Sequence, residues 1–401
     1  MNAFRLALFS GNYNYTRDGA NLALNRLVEY FERAGARVLV FSPTAREPAF
    51  EPAGELISAP SAPIPFRPEY RFSFGLSKSN KSRLAAFNPD AIHLSAPDIL
   101  GYQAARLARK LSIPAVASVH TRFETYLSYY GLGWLRGRAE AYLRSFYSRC
   151  EAVYAPSQSV ADELRAAGIV SAPRIWSRGV DRELFSPAKR DLSWRRSLGI
   201  ADDEVVVSFI SRLVLEKGLG VFADAVDRLA AKGVRHKVLI VGDGPERSRF
   251  QRRLPDAIFA GFLTGDALAC AYASSDVFMF PSVTETFGNV TLEAMAAGVP
   301  AVCADATGSR TLVDDGATGF LARPNDAADF AAQAEKLILN SALRKSMAEA
   351  ARARSADYTW DAINGRLFDD YRLILAKASG KPACKEGAAS LNAACVAEEA
   401  A

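Results

Sequence analysis

What most constrains this chain is an alternation, met twice over, of short apolar runs with longer amphipathic stretches. In the first half, apolar runs fall at Leu6–Phe9, Arg37–Phe41, Ala91–Leu94, Ala115–Val119 and Ala152–Ala155, with helical patterns such as Asn21–Ala34 and Gln103–Leu111 between them. A second series runs through Val205–Ile210, Lys237–Val241, Ala257–Ala260, Val277–Phe280 and Ala301–Cys303, separated by helical stretches that include Lys217–Ala231 and Val290–Ala297. Short apolar strands alternating with helices build βα units, and βα units build parallel sheets. Two such series in 401 residues suit two domains, because single hydrophobic cores stop growing below this length. The pattern predicts an α/β chain with two Rossmann-like units facing across a cleft. Open parallel sheets bind ligands beyond the carboxyl ends of their strands.

The join between the units falls in Arg178-Gly179-Val180-Asp181 through Phe185-Ser186-Pro187. That gives a first domain over 1–180 and a second over 181–359. After Tyr358-Thr359-Trp360 an apolar-periodic segment predicts a last helix over 360–378. The small, polar remainder, 379–401, predicts a disordered tail. The stretch Pro43–Pro68 is rich in Pro, Ala and Ser and has no period, so it predicts a long loop across the surface or over the cleft.

Nearly half the residues are apolar and 23% are charged, as in an ordinary globular protein. The net charge of +5 is compatible with anionic ligands and equally with a merely basic surface. The five cysteines contain no Cys-x-x-Cys pair, which predicts reduced thiols, a cytosolic setting and no structural metal. The N-terminal run Phe4–Ser10 is too short for a signal-peptide core, and no run is long enough to span a bilayer. A membrane substrate would be met from the surface, at the inner face. Nothing points to nucleic acid as a partner, and the oligomeric state is left open.

The segment Thr284–Met295 follows the apolar strand Val277–Phe280 and holds two glutamates, Glu285 in a loop and Glu293 in the helix after it. Gly288 allows close approach of a ligand, and the backbone N–H groups of Thr286, Phe287, Gly288, Asn289 and Val290 open a helix that can hold a phosphate. A carboxylate on either side of that anion site can accept hydrogen bonds from sugar and ribose hydroxyls. Arg212 and Lys217, just past Val205–Ile210, have the charge to hold a pyrophosphate and to stabilise a departing nucleotide. The turn Gly242-Asp243-Gly244-Pro245-Glu246 has two readings, turn geometry alone or a contact to the nucleotide.

The loop Gly11–Asn21 lacks the Gly-x-Gly-x-x-Gly dinucleotide fingerprint, but Asp18 and Gly19 open a helix at the cleft. His120 ends the strand Ala115–Val119 and is assigned to the site, whereas His93 and His236 have no distinguishing context. No Asp-x-Asp occurs, so positive side chains and helix N-termini must replace the usual metal clamp on a nucleotide sugar, and no metal or cofactor is expected.

These motifs resemble the retaining family 4 glycosyltransferases of the GT-B fold, over nearly the whole chain up to about Ala378. The segment Glu285–Glu293 is the most specific element, supported by Arg212 with Lys217, Gly242–Glu246 and Arg178–Asp181. The resemblance implies that Glu285 binds donor-sugar hydroxyls, Glu293 the ribose, and Arg212 and Lys217 the diphosphate. It further implies that His120 lies beside the sugar and that the final helix crosses back onto the first domain. Within the family the likeness is to lipid-directed members, such as sulfoquinovosyl diacylglycerol synthase and bacterial α-mannosyltransferases. Where many members carry paired glycines in the first loop, this chain has Arg17-Asp18-Gly19-Ala20.

The function expected is metal-independent, retaining transfer of a hexose or hexuronate from a nucleotide-diphosphate sugar, a UDP-sugar first and GDP-mannose second. A nucleotide-sugar epimerase and a non-catalytic sensor are the alternatives, told apart by incubating donor alone. The acceptor expected is a membrane lipid such as diacylglycerol, with a polysaccharide as the alternative. In Phe123–Tyr147, aromatic residues interleave with arginines, and Arg122, Tyr129, Tyr130, Trp134, Arg136 and Arg138 would meet the lipid and an anionic membrane surface, the alternative being a core helix with a solvated basic face.

Overall fold

A computed structural model of the chain describes residues 3–16, 18–64, 67–120 and 133–378. The first unit contains strands β1 (Arg5–Phe9), β2 (Arg37–Ser42), β3 (Glu55–Ser58), β4 (Ser61–Ile64), β5 (Arg67–Ser73), β6 (Ala91–Leu94), β7 (Ala115–Ser118), β8 (Ala152–Ala155) and β9 (Arg174–Ile175). The second contains β10 (Val206–Ile210), β11 (Lys237–Val241), β12 (Ile258–Gly261), β13 (Val277–Phe280), β14 (Ala301–Ala304) and β15 (Gly319–Ala322).

Two sheets form, in the orders β3-β2-β1-β6-β7-β8-β9 and β12-β11-β10-β13-β14-β15, with every neighbour parallel. Each is built outward from a central first strand, β1 or β10, so each has a switch point, at β1/β6 and at β10/β13. Helices cover both faces. The central strands are therefore buried on both sides and read as nearly continuous apolar runs, interrupted in β10 only by the buried Ser208, instead of alternating ones. Loops leaving β1, β10 and β13 at their carboxyl ends are thus the ones the topology aims at the cleft.

The stretch Pro43–Pro68 is not a loop throughout. Glu55–Ser58 adds β3 to the sheet edge in register with Leu39–Ser42, and β4 pairs with β5 as an antiparallel ribbon. Strand β3 is only half-buried and carries polar ends, so its pairing comes from the backbone and leaves no apolar period to read.

The helix Trp360–Ala378 crosses back onto the first sheet. Its buried stripe, Ile363, Leu367, Tyr371 and Ile374, follows helical spacing. Tyr371 packs edge-on to Phe31 at 5.3 Å between ring centroids. Asn364 accepts from Trp176 Nε1 at 3.1 Å and donates to the Arg26 carbonyl at 3.1 Å. Where the chain passes between the units it does so twice, side by side, with Val180 N donating to the Tyr358 carbonyl at 2.8 Å. No helix among the described residues is long and apolar enough to cross a membrane. The segment 379–401 lies outside the described residues.

Candidate active site

The second sheet supplies the densest cluster. After β13 the chain turns through Pro281–Gly288, and the helix Asn289–Ala296 begins at Gly288 in the left-handed conformation (φ 100°, ψ 54°). Glu285 Oε1 accepts from Ser282 Oγ at 3.1 Å and forms an ion pair with the Lys217 ammonium. The side chains of Lys217 and Glu285 are only 15% and 16% exposed, so solvent screens the pair far less than a surface one.

Lys217 reaches Glu285 because the loop after β10 closes in a short 3₁₀ turn, Leu215–Lys217, followed by Gly218 at φ 76°. A Cβ at Gly218 would stand 2.9 Å from Pro281, so glycine there lets the β10 and β13 loops touch. Arg212, in the same loop, is exposed.

The Gly242–Glu246 turn braces that loop. Leu213 N donates to the Asp243 carbonyl at 2.9 Å, and Glu246 N donates to the Leu213 carbonyl at 3.1 Å. A Cβ at Gly242, φ 133°, would fall 1.9 Å from the Ser211 carbonyl oxygen. Backbone packing is thus sufficient reason for the glycine, and a nucleotide contact there remains an expectation.

Glu293 sits half-buried in the next helix, and Tyr272 Oη donates to its Oε2 at 3.0 Å. Burial raises the Glu293 carboxyl to about 7, against a smaller lowering by the Tyr272 hydrogen bond. Tyr272 is fully buried on the helix Gly265–Ala273, and nothing in its sequence context marks it.

The first sheet faces this cluster. Asp18 caps the helix Gly19–Arg33: its Oδ1 accepts from Asn21 N at 2.9 Å and its Oδ2 from Asn21 Nδ2 at 3.0 Å. Burial raises the Asp18 carboxyl, and the Arg212 cation is among the groups that oppose the rise. A Cβ at Gly19 would meet the Asn289 side-chain amide at 2.4 Å, so two elements assigned to donor binding touch across the cleft. Ser157 Oγ, from the helix after β8, donates to the Thr286 carbonyl at 2.8 Å. The Phe287 side chain is buried in the second core beside Tyr358, with their ring centroids 5.8 Å apart.

His120 belongs to a chain of polar groups that sequence reasoning missed. Arg178 Nη2 donates to His120 Nδ1 at 2.9 Å, His120 Nε2 meets Ser118 Oγ at 2.8 Å, Ser118 Oγ meets His93 Nε2 at 2.7 Å, and His93 Nδ1 meets Tyr371 Oη. A guanidinium only donates, so His120 Nδ1 is an acceptor and the neutral ring carries its proton on Nε2. The Ser118 hydroxyl proton then goes to His93 Nε2, which leaves the His93 proton on Nδ1. Burial lowers His93 to about 3, and lowers His120 well below its ordinary value with help from the Arg178 cation. His93, unremarkable in the sequence, is therefore a structural centre. Both ring nitrogens of His120 are engaged, which leaves neither as a free base.

Trp134 is 71% exposed, and Arg136 pairs with Glu140 at 2.8 Å on the helix Arg136–Tyr147, which also carries Arg138. Arg122, Tyr129, Tyr130 and Arg17 lie outside the described residues. Among the described residues, no three His, Cys, Asp or Glu side chains group as metal ligands.

A sequence profile described as Glycosyltransferase Family 4 matches residues 17–184, and one described as Glycosyl transferases group 1 matches residues 191–354. The chain is similar to a GDP-mannose-dependent alpha-mannosyltransferase of Corynebacterium glutamicum, 33% identical over 378 residues that cover 93% of this chain and 89% of that one. It is also similar to the sulfoquinovosyl transferase SQD2 of Arabidopsis thaliana, 32% identical over 91% of this chain and 73% of that one. Among solved structures, a sucrose-phosphate synthase from Thermosynechococcus elongatus superposes with a TM-score of 0.76 at 21% identity, covering 93% of this chain and 100% of that one. At that identity the likeness is one of fold.

Proposed function

Since the chain belongs to the family 4 glycosyltransferases and is a hexosyltransferase of GT-B fold, we propose that it moves a hexose or hexuronate, with retention and without a metal, from a nucleoside-diphosphate sugar to a membrane lipid such as diacylglycerol. The observation that carries the proposal is the Lys217–Glu285 ion pair at the β10/β13 switch point, with Glu293 on the helix that follows and Gly19 packed against Asn289 from the opposite side. In this reading the diphosphate takes Arg212, Lys217 and the N–H groups at the start of the helix Asn289–Ala296. Glu285 accepts from the sugar hydroxyls and Glu293 from the ribose. His120 positions its neighbours and does not act as a base.

The bond from the anomeric carbon to the diphosphate oxygen breaks, and the acceptor oxygen bonds to that carbon on the same face. The departing phosphate takes the acceptor proton. Cations held in place around the developing negative charge supply the stabilisation.

For the base, UDP is the first reading, on the likeness to sulfoquinovosyl diacylglycerol synthase. GDP-mannose is the second, and a specific observation favours it: mannosyltransferases named for that donor match this chain at 33% and 34% identity over more than nine-tenths of its length. A lipid acceptor is supported by a relative named alpha-monoglucosyldiacylglycerol synthase, 27% identical over 79% of this chain.

A thermal-shift panel of UDP- and GDP-sugars tests the donor. The correct nucleotide at 100 times its dissociation constant should stabilise the protein by about 2.7 kcal/mol. No shift with any nucleotide sugar would refute the donor assignment. Transfer in the presence of EDTA is expected to continue; its abolition, with restoration by a divalent cation, would refute metal independence.

A further inference from the structure

We propose that Arg178 is the receptor for an oxyanion, a carboxylate, sulfonate or phosphate, carried either by the transferred sugar or by the acceptor. The inference rests on the transferase reading of the cleft and adds a specificity to it.

Arg178 follows β9, on the cleft side of the first sheet, beside His120. It is 5% exposed. Its hydrogen bonds go to His120 Nδ1 at 2.9 Å and to the Trp176 carbonyl at 3.3 Å, and its guanidinium lies 5.0 Å from the centre of the Trp176 ring. All three partners are neutral. Among the described residues it forms no ion pair with a carboxylate.

The other buried arginine among the described residues does meet an anion. Arg195, wholly buried, pairs with Asp276 at 2.9 Å and donates to the carbonyls of Ser274, Ala201 and Glu204. A guanidinium carries five N–H donors, and a buried cation is stable only when an anion or a full set of acceptors meets it.

Among the described residues the Asp18 carboxylate favours the Arg178 cation, but its oxygens are already committed to Asn21 and to the helix start. Protonation of His120 cannot relieve the site either, because its Nδ1 lone pair is held by Arg178 itself. Burial draws the Arg178 group down only to about 10, so the cation persists at neutral pH. The diphosphate has Arg212 and Lys217 on the opposite sheet. What Arg178 offers is therefore a second, planar, anion-shaped fork at the sugar and acceptor side of the cleft.

The test compares isosteric substrates in wild type, Arg178→Gln and Arg178→Lys. In the donor arm, UDP-glucuronate is set against UDP-glucose, and GDP-mannuronate against GDP-mannose. In the acceptor arm, phosphatidylglycerol is set against the same lipid methylated on its phosphate. Wild type is expected to prefer the anion in one arm by roughly 30-fold or more in kcat/KM. Arg178→Gln should bring that ratio close to one, and Arg178→Lys should keep part of it. A ratio does not move when some of the variant is unfolded.

Ratios near one for wild type in both arms, or a parallel loss on anionic and neutral substrates in Arg178→Gln, overturn the proposal. Calorimetry of glucuronate against glucose on protein saturated with UDP or GDP separates the two levels of inference. If wild type transfers no sugar, the transferase reading fails, while glucuronate binding that vanishes in Arg178→Gln still supports the anion site and its absence refutes it.

Discussion

Lys217 places its ammonium on the carboxylate of Glu285, so the two groups assigned to opposite ends of the donor, diphosphate and sugar, first satisfy each other. A bound diphosphate competes for the ammonium, and the carboxylate is thereby freed for hydroxyls. Lys217→Ala and Glu285→Ala should each lower turnover by roughly 10²–10³. They should part company in binding: Lys217→Ala weakens the affinity for free UDP or GDP, whereas Glu285→Ala leaves it unchanged or tightens it. Because the residues touch, the double variant should lose less than the sum of the two. Weakened nucleotide affinity in Glu285→Ala, measured by calorimetry, would contradict the competition.

Glu293 can accept from a ribose most strongly as a carboxylate, and its carboxyl is raised to about 7. Nucleotide affinity should therefore rise as pH increases through about 7. Removing the Tyr272 hydroxyl deletes a contact that favours the charged form, so Tyr272→Phe should move that rise to higher pH. Stability runs the other way. The folded state binds more protons than the unfolded one between the ordinary carboxyl value and about 7, so folding is weakened as pH rises through that window, by at most about 3 kcal/mol. Glu293→Gln should melt above wild type at pH 8 and lose that advantage at pH 5. Equal melting temperatures at pH 8 would contradict the burial of this charge.

His93 and His120 behave oppositely, since burial lowers both. Their neutral forms support the fold above the ordinary imidazole value, and that support is lost as pH falls below it, toward about 3 for His93. His93→Gln keeps polar atoms near Ser118 and Tyr371 but removes one titration. It should cost about 1–3 kcal/mol at pH 7 and flatten the fall in melting temperature between pH 6.5 and pH 4. An unchanged acid slope would place that titration elsewhere.

The extent to which the sequence disclosed this arrangement follows from how local each piece is. Strands β1 and β10 are buried on both faces and leave nearly continuous apolar runs, so both sheets could be read. Strand β3 is half-exposed and β9 is two residues long, and neither leaves a period. Glu285, Gly288 and Glu293 share one loop and the helix it opens, which is why they were legible together. Tyr272 meets Glu293 only through helix packing, and His93 meets Tyr371 across 278 residues, contacts that no spacing rule encodes.

If Trp134, Arg136 and Arg138 dock on an anionic bilayer, wild-type protein should float with phosphatidylglycerol vesicles at low salt and dissociate as salt screens the arginines. Replacing all three by Ser should abolish flotation while leaving the affinity for nucleotide unchanged. Flotation that persists in the triple variant would move the membrane contact to another surface.

The most direct test of the central claim is the anomeric proton coupling, by NMR, of the lipid product formed from an α-linked nucleotide sugar. Transfer with an α-configured product is expected, slowed by roughly 10²–10³ in Lys217→Ala and undiminished by EDTA. A β-configured product, or no sugar transferred from any UDP- or GDP-hexose, would contradict it.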